Sequence, residues 1–171
     1  MALDLSREQR DEMLRSWFDR IVGSYPDETG RFLREQSDPF ANPVGTTLRE
    51  ELEPILDGVI SGCDPTELEP GLDRIIRVRA LQDMSPAAAV GFVLTLKEVF
   101  NDVVRDASNR SRTLFDTRID AVLLVAFNVY SRCKKEVYDI RVKSIRNQSL
   151  KVMERLNSWY ERRSGGTSKS V

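Results

Sequence analysis

Apolar residues recur at three- and four-residue intervals through most of this chain, and no stretch alternates with the period of two that a half-buried strand needs. The expectation is an all-α fold of about six helices. The first runs from about Ser6 to Gly23, opened by a Ser6-x-x-Gln9 capping box, with Met13, Leu14, Trp17, Phe18, Ile21 and Val22 on one face. A short second helix follows Pro26-Asp27 with Phe32 and Leu33 as apolar anchors. The SDPFANPVG segment, with two prolines and a glycine, reads as a structured turn from which Phe40 is expected to plug the core. A third helix starts near Thr46 and carries Leu48, Leu52, Ile55, Leu56, Val59 and Ile60, with a kink or a broken start expected at Pro54. A fourth runs from Pro65 or Thr66 to Leu81, its regular part delayed to about Leu72 by Pro70 and Gly71. The fifth is predicted from Pro86, capped by Ser85, to about Ala107, with Gly91 in a side-chain-poor surface open to another helix.

The last helix is the long one, from about Arg112 to about Arg162. Continuous, it would span on the order of 75 Å, so its second half is expected to leave the body or bend. Ile119, Leu123, Ala126, Tyr130, Cys133, Val137 and Ile140 mark a core stripe, widened by Leu124, Val125 and Phe127. Beyond it Ile145, Ser149, Val152, Leu156 and Trp159 continue the four-three alternation as a narrower, coiled-coil-like seam, which points to self-association. The predicted organisation is a helical body over residues 1–140, a helical extension over 141–163 with a dimer seam at Ile145, Val152, Leu156 and Trp159, and a disordered polar tail over 164–171.

Composition narrows the chemistry. The 171 residues suit one domain, and 40% hydrophobic with 31% charged residues is a globular balance. No apolar run approaches the ~20 residues of a membrane helix, and the amino terminus has no secretory apolar core, so the expected location is cytoplasmic with no membrane insertion. Cys63 and Cys133 have no metal-type spacing and read as reduced thiols, Cys133 as a buried one. Histidine is absent, which removes the commonest general base and metal ligand and the usual axial ligand of haem. No cofactor, metal or catalytic residue is assigned. Glu50, Glu51 and Glu53 form only what looks like an exposed acidic run, and the chain reads as a non-enzyme.

Charge is unevenly placed. Residues 132–169 hold eleven Lys or Arg against four Asp or Glu, although the net charge of the whole is −1. Lys134, Lys135, Arg141, Lys143, Arg146 and Lys151 would suit phosphates, yet no helix-turn-helix pattern accompanies them. A solvated basic face is the preferred account, and no nucleic acid is expected.

The junction from Arg77 to Phe100 holds more polar specificity than a helix connection needs: Arg77, Arg79, Gln82, Asp83 and Ser85 crowd one boundary. They suit either a polar pocket or partner surface, or a structural knot in which Arg77 or Arg79 pairs with Asp83. Asp38-Pro39-Phe40 with Asn42-Pro43-Val44-Gly45, then Arg77-Val78-Arg79-Ala80 with Gln82-Asp83-Met84-Ser85-Pro86, resemble in order and register the amino-terminal domain of the RsbR-type stressosome co-antagonists, especially the RsbRD amino-terminal domain family. The resemblance spans roughly residues 5–138. It implies a haem-free, globin-like sensory or interaction domain, commonly dimeric, whose long helix leads in that family to a STAS domain. No STAS-like segment is seen here, so the expectation is a stand-alone sensor or adaptor with a homodimer and an unidentified regulatory protein as partners. The competing expectation is a globin-like protein holding a small apolar ligand; haem on Cys133, Tyr130 or Met84 is disfavoured without histidine.

Overall fold

The computed structural model describes residues 3–82 and 84–164, with side chains as far as Glu161. The described residues form helices and turns and contain no strand, so the fold is all-α. In chain order the helices are α1 (Arg7–Gly23), α2 (Asp27–Glu35), α3 (Pro43–Ser61), α4 (Glu69–Leu81), α5 (Pro86–Val90), α6 (Thr95–Val103) and α7 (Asn109–Ser164), with 3₁₀ turns at Pro65–Leu68 and Gly91–Val93. The chain divides into two compact units, residues 1–133 and 134–171, and α7 contributes to both.

In the first unit α1 packs against α3 and α6, and α3 against α4. Trp17, Phe100 and Phe115 are the largest fully enclosed side chains, and the Phe100 and Phe115 rings stack at 4.2 Å between centroids. The capping box of α1 forms as read: the Ser6 hydroxyl accepts from the Gln9 amide, and the Gln9 side chain accepts from the Ser6 amide.

The connection from α2 to α3 is built on Asn42, which is 1% exposed. Its side-chain oxygen accepts from the Gly45 amide at 2.8 Å and caps α3, while its Nδ2 donates to the carbonyls of Leu33 (3.2 Å) and Gln36 (2.8 Å) at the end of α2. One amide therefore closes two helix ends whose backbone groups lack intrahelical partners. A Cβ on Gly45 would lie 2.3 Å from Asn42 Nδ2, which explains the small residue there. Pro43 then occupies the first turn, three residues before the expected start near Thr46.

Phe40 does not plug the core. It is 97% exposed, because the Asp38 side chain accepts from the Phe40 amide and the Asp38 carbonyl accepts from the Asn42 amide, a turn closed by polar groups that presents Phe40 outward. Phe32 is also exposed, leaving Leu33 as the buried anchor of α2.

Further departures from the expected pattern have local causes. Helix α3 runs through Pro54 without interruption, and Pro70 falls in the first turn of α4, where its missing N–H would have had no helical acceptor, so α4 begins at Glu69. The helix expected from Pro86 to Ala107 is split. The Phe92 carbonyl accepts from the Trp17 indole at 2.8 Å and the Thr95 hydroxyl at 2.7 Å, and the chain tightens to a 3₁₀ turn over Gly91–Val93. Among the described residues no neighbouring helix occupies the space at Gly91: a Cβ there would meet nothing within 4 Å.

Arginines from α7 close two more helix ends. Arg118 Nη1 donates to the Val59 and Ile60 carbonyls at 2.7 and 2.8 Å, and Gly62 turns the chain with φ +75°, where a Cβ would lie 2.3 Å from the Arg118 guanidinium. Arg112 donates to the carbonyls of Val104, Arg105 and Ala107 past the end of α6. Along α7, Phe115, Ile119, Val122, Ala126, Val129, Tyr130 and Cys133 are buried. Leu124, Phe127 and Ile140 are exposed, so the core stripe is narrower than the sequence suggested and Cys133 is its last buried member.

Within the second unit, Tyr138, Val142, Ile145, Val152, Leu156 and Trp159 are exposed along the helix. The tail expected over residues 164–171 lies outside the described residues apart from Ser164.

Replacing Asn42 by alanine removes a cap and leaves buried carbonyls unpaired; the expected loss is about 2–3 kcal/mol in urea denaturation. Phe40→Ser is expected within about 0.5 kcal/mol of the parent, and a cost above that would mean that Phe40 is buried after all.

Candidate functional site

The polar residues of the α4–α5 junction separate into two environments. Asp73 and Arg77 lie one turn apart on α4, and Arg77 Nε donates to Asp73 Oδ2 at 2.6 Å on the outer surface. Arg132, near the end of the first unit on α7, donates to the other Asp73 oxygen at 3.2 Å and to Glu69 at 2.7 Å. The Cys133 thiol lies 3.8 Å from the same Asp73 oxygen. Arg77 therefore belongs to an ion-pair cluster tying α4 to α7. Burial on its own would raise the Asp73 pKa, but hydrogen bonds from Arg77 and Arg132 outweigh it and hold the carboxyl below its ordinary value.

Arg79 points the other way along the sequence's two-residue step and is 3% exposed. Its guanidinium lies over the rings of Tyr25 and Phe92, at 5.4 and 5.5 Å from their centroids. Nη2 donates to the Ala88 carbonyl at 3.0 Å, Nη1 reaches the Tyr25 hydroxyl at 3.4 Å, and Nε has no acceptor among the described residues. Burial pushes the Arg79 pKa down, opposed only by Tyr25; burial likewise raises Tyr25, with Arg79 opposing. Gln82 is exposed, Ser85 accepts from the Ala88 amide as the cap of α5, and Asp83 lies outside the described residues.

A cleft of about 240 Å³ adjoins Arg79 and is lined also by Arg20, Ile21, Ser24, Met84, Ala87, Ala88, Gly91, Phe92 and Thr95. Arg20 at this cleft is held by Glu98 and Asp102, each at 2.5 Å. The Ser24 and Thr95 hydroxyls donate to the carbonyls of Ile21 and Phe92. The acidic run read as exposed at Glu50, Glu51 and Glu53 is not uniform: Glu51 is 7% exposed and paired with Arg74 from α4, because α4 packs over that face of α3, while Glu53 lies outside and meets Arg10.

Tyr25, Phe92, Asp73 and Arg132 complete these two environments and were not singled out in the sequence. The Asp73–Arg77 spacing of four on a helix was a legible signal. Tyr25 and Phe92 carried none, since their role depends on which rings the fold brings to Arg79.

Truncating Arg79 to alanine is expected to cost about 1–3 kcal/mol through lost packing and an unpaired carbonyl, offset in part by removal of a buried charge; Arg77→Ala should cost less than about 1 kcal/mol. Equal losses in denaturant would contradict the separation. Since the folded pKa of Asp73 is lowered, its contribution is present above the unfolded value of about 4 and disappears as pH falls through the folded one. The stability difference between parent and Asp73→Asn should therefore shrink in acid, and a difference that grows below pH ~4 would reverse the assignment.

Comparison with known proteins places the chain in a family. The sequence profile described as "RsbT co-antagonist protein rsbRD N-terminal domain" matches residues 11–143. An uncharacterized protein of Archaeoglobus fulgidus is 22% identical over 156 residues, covering 90% of this chain and 95% of its own. No solved structure matches the chain. The match takes in the Asn42 turn, the Arg77–Ser85 junction and the whole of α7 within the first unit, and the chain belongs to the RsbRD N-terminal domain family.

Proposed function

We propose that this chain is a non-enzymatic, cytoplasmic regulatory domain, a haem-free globin-like sensor or interaction module of the stressosome-related kind, which works as a homodimer and on a regulatory protein partner. Family membership supports the regulatory role, and among the described residues no helix is long and apolar enough to cross a membrane. The observation that carries the dimer is the seam of the second unit. Ile145, Val152, Leu156 and Trp159 stand exposed at four-three spacing with Ser149, on the helix that makes up the described residues of this unit. Such a stripe on one helix is stabilised by pairing with an equivalent stripe, each knob entering a hole on the facing helix.

The signalling step runs from the body to the helix. A stimulus or partner on the first unit shifts the balance between two arrangements of the paired helices, and the Asp73–Arg132 ion pair, at the last buried turn of α7, is the element through which α4 acts on that helix.

Size-exclusion chromatography with light scattering at about 50 µM is expected to give a dimer with Kd in the micromolar range, and Leu156→Asp a monomer that keeps its helical spectrum. A monomeric parent protein, or a dimer indifferent to Leu156→Asp and Val152→Asp together, would overturn the seam.

A further inference from the structure

Buried positive charge is costly unless a negative group accompanies it. Arg10, Arg20, Arg74, Arg77 and Arg132, all nearer the surface, each meet at least one carboxylate. Arg79 is the most enclosed of these six, and its partners among the described residues are neutral: a carbonyl, a phenol hydroxyl and two rings. A guanidinium has five N–H donors, and here Nε–H is left without an acceptor among the described residues. This unaccompanied guanidinium also borders a solvent-accessible cleft.

We infer that the cleft beside Arg79 binds a small organic monocarboxylate, with the Arg79 guanidinium as its counter-charge and Met84, Ala87, Gly91 and Phe92 as walls for its hydrocarbon or aromatic body. Three observations choose this ligand class. The planar guanidinium fork matches the two oxygens of a carboxylate. The cleft of about 240 Å³ is lined largely by apolar residues, which suits a small molecule with a hydrocarbon or aromatic body. Finally, the remaining polar groups disfavour more highly charged anions. The Ser24 and Thr95 hydroxyls already donate to backbone carbonyls, and Arg20 is engaged by Glu98 and Asp102, whose charges would oppose a dianion.

Gly91 keeps the cleft open. It lies in a right-handed conformation at φ −60°, so the backbone tolerates a side chain there, and its Cβ direction is free of atoms to 4 Å. Leucine at this position would occupy ligand space without displacing the fold.

The test is titration calorimetry and amide NMR on the full chain with acetate, butyrate and benzoate, and with inorganic phosphate as the second arm, all at constant ionic strength. Butyrate and benzoate are expected to bind one per chain with Kd of about 1 mM or tighter, phosphate at least ~10-fold more weakly, with shifts at Ala88 and Gly91. Arg79→Met should weaken butyrate at least ~10-fold, and Gly91→Leu should abolish benzoate binding while Arg79 stays in place. Absence of saturable binding up to about 50 mM overturns the site, as does equal binding by phosphate or by the Gly91→Leu protein. If Arg79→Met does not fold, Gly91→Leu alone decides. Binding is read per chain, so a monomeric protein that binds butyrate defeats the helix seam and leaves this site standing, and the converse holds equally.

Discussion

Short helices leave their ends inside the structure, and the first unit is organised around closing them. Helices α2 and α6 are nine residues long, so their unpaired terminal carbonyls form a large share of each backbone. Leaving a buried carbonyl unpaired costs roughly 1–3 kcal/mol, comparable to what a whole nine-residue helix can contribute through packing. The closing groups come from elsewhere in the chain. Asn42 and Arg49 cover the end of α2, Arg118 the end of α3, and Arg112 the segment after α6. Because three of these four are arginines on other helices, each capping bond is also a tertiary bond, and helix termination and helix docking become one event.

The same economy explains the arrangement of α4 and α5. The Trp17 indole takes the Phe92 carbonyl out of the helical ladder, so the chain turns at Gly91 and delivers the Phe92 ring to Arg79. Arg79 in turn holds the Ala88 carbonyl near the end of α5. A hydrogen bond from α1 thus holds the residue whose ring lines the cleft and packs against Arg79. Two residues away in sequence, Arg77 serves the opposite face, where Asp73 joins α4 to α7.

Periodicity carried the helices well, since amphipathic spacing and caps such as Ser6 and Ser85 act locally and are readable locally. The NPVG motif was read as the end of a turn, whereas Asn42 caps α3 and Pro43, Val44 and Gly45 already belong to that helix, because the cap bond to the Gly45 amide starts it there. Phe40 looked like a core residue because it is large and apolar, yet the Asx turn at Asp38 decides its direction, and side-chain size has no bearing on that. The break at Gly91 was hidden because its cause lies in Trp17, seventy-five residues earlier. The junction illustrates the same limit: the sequence marked Arg77, Arg79, Gln82 and Ser85 as one cluster, and the fold distributes them among an ion pair, a buried stack, an exposed amide and a cap. Which of two arginines two residues apart is buried depends on Tyr25 and Phe92, neither of which is near them in sequence.

Gly91 has a consequence for how this fold can diversify. The interior is filled by large interlocking side chains, where one added carbon disturbs several neighbours. At Gly91 the surroundings are empty, and the turn that carries it is held from both sides by Trp17 and Thr95. Shape change at this one position is uncoupled from folding. A larger side chain at position 91 would change the depth of the cleft while the helices of the first unit and their caps remain as they are.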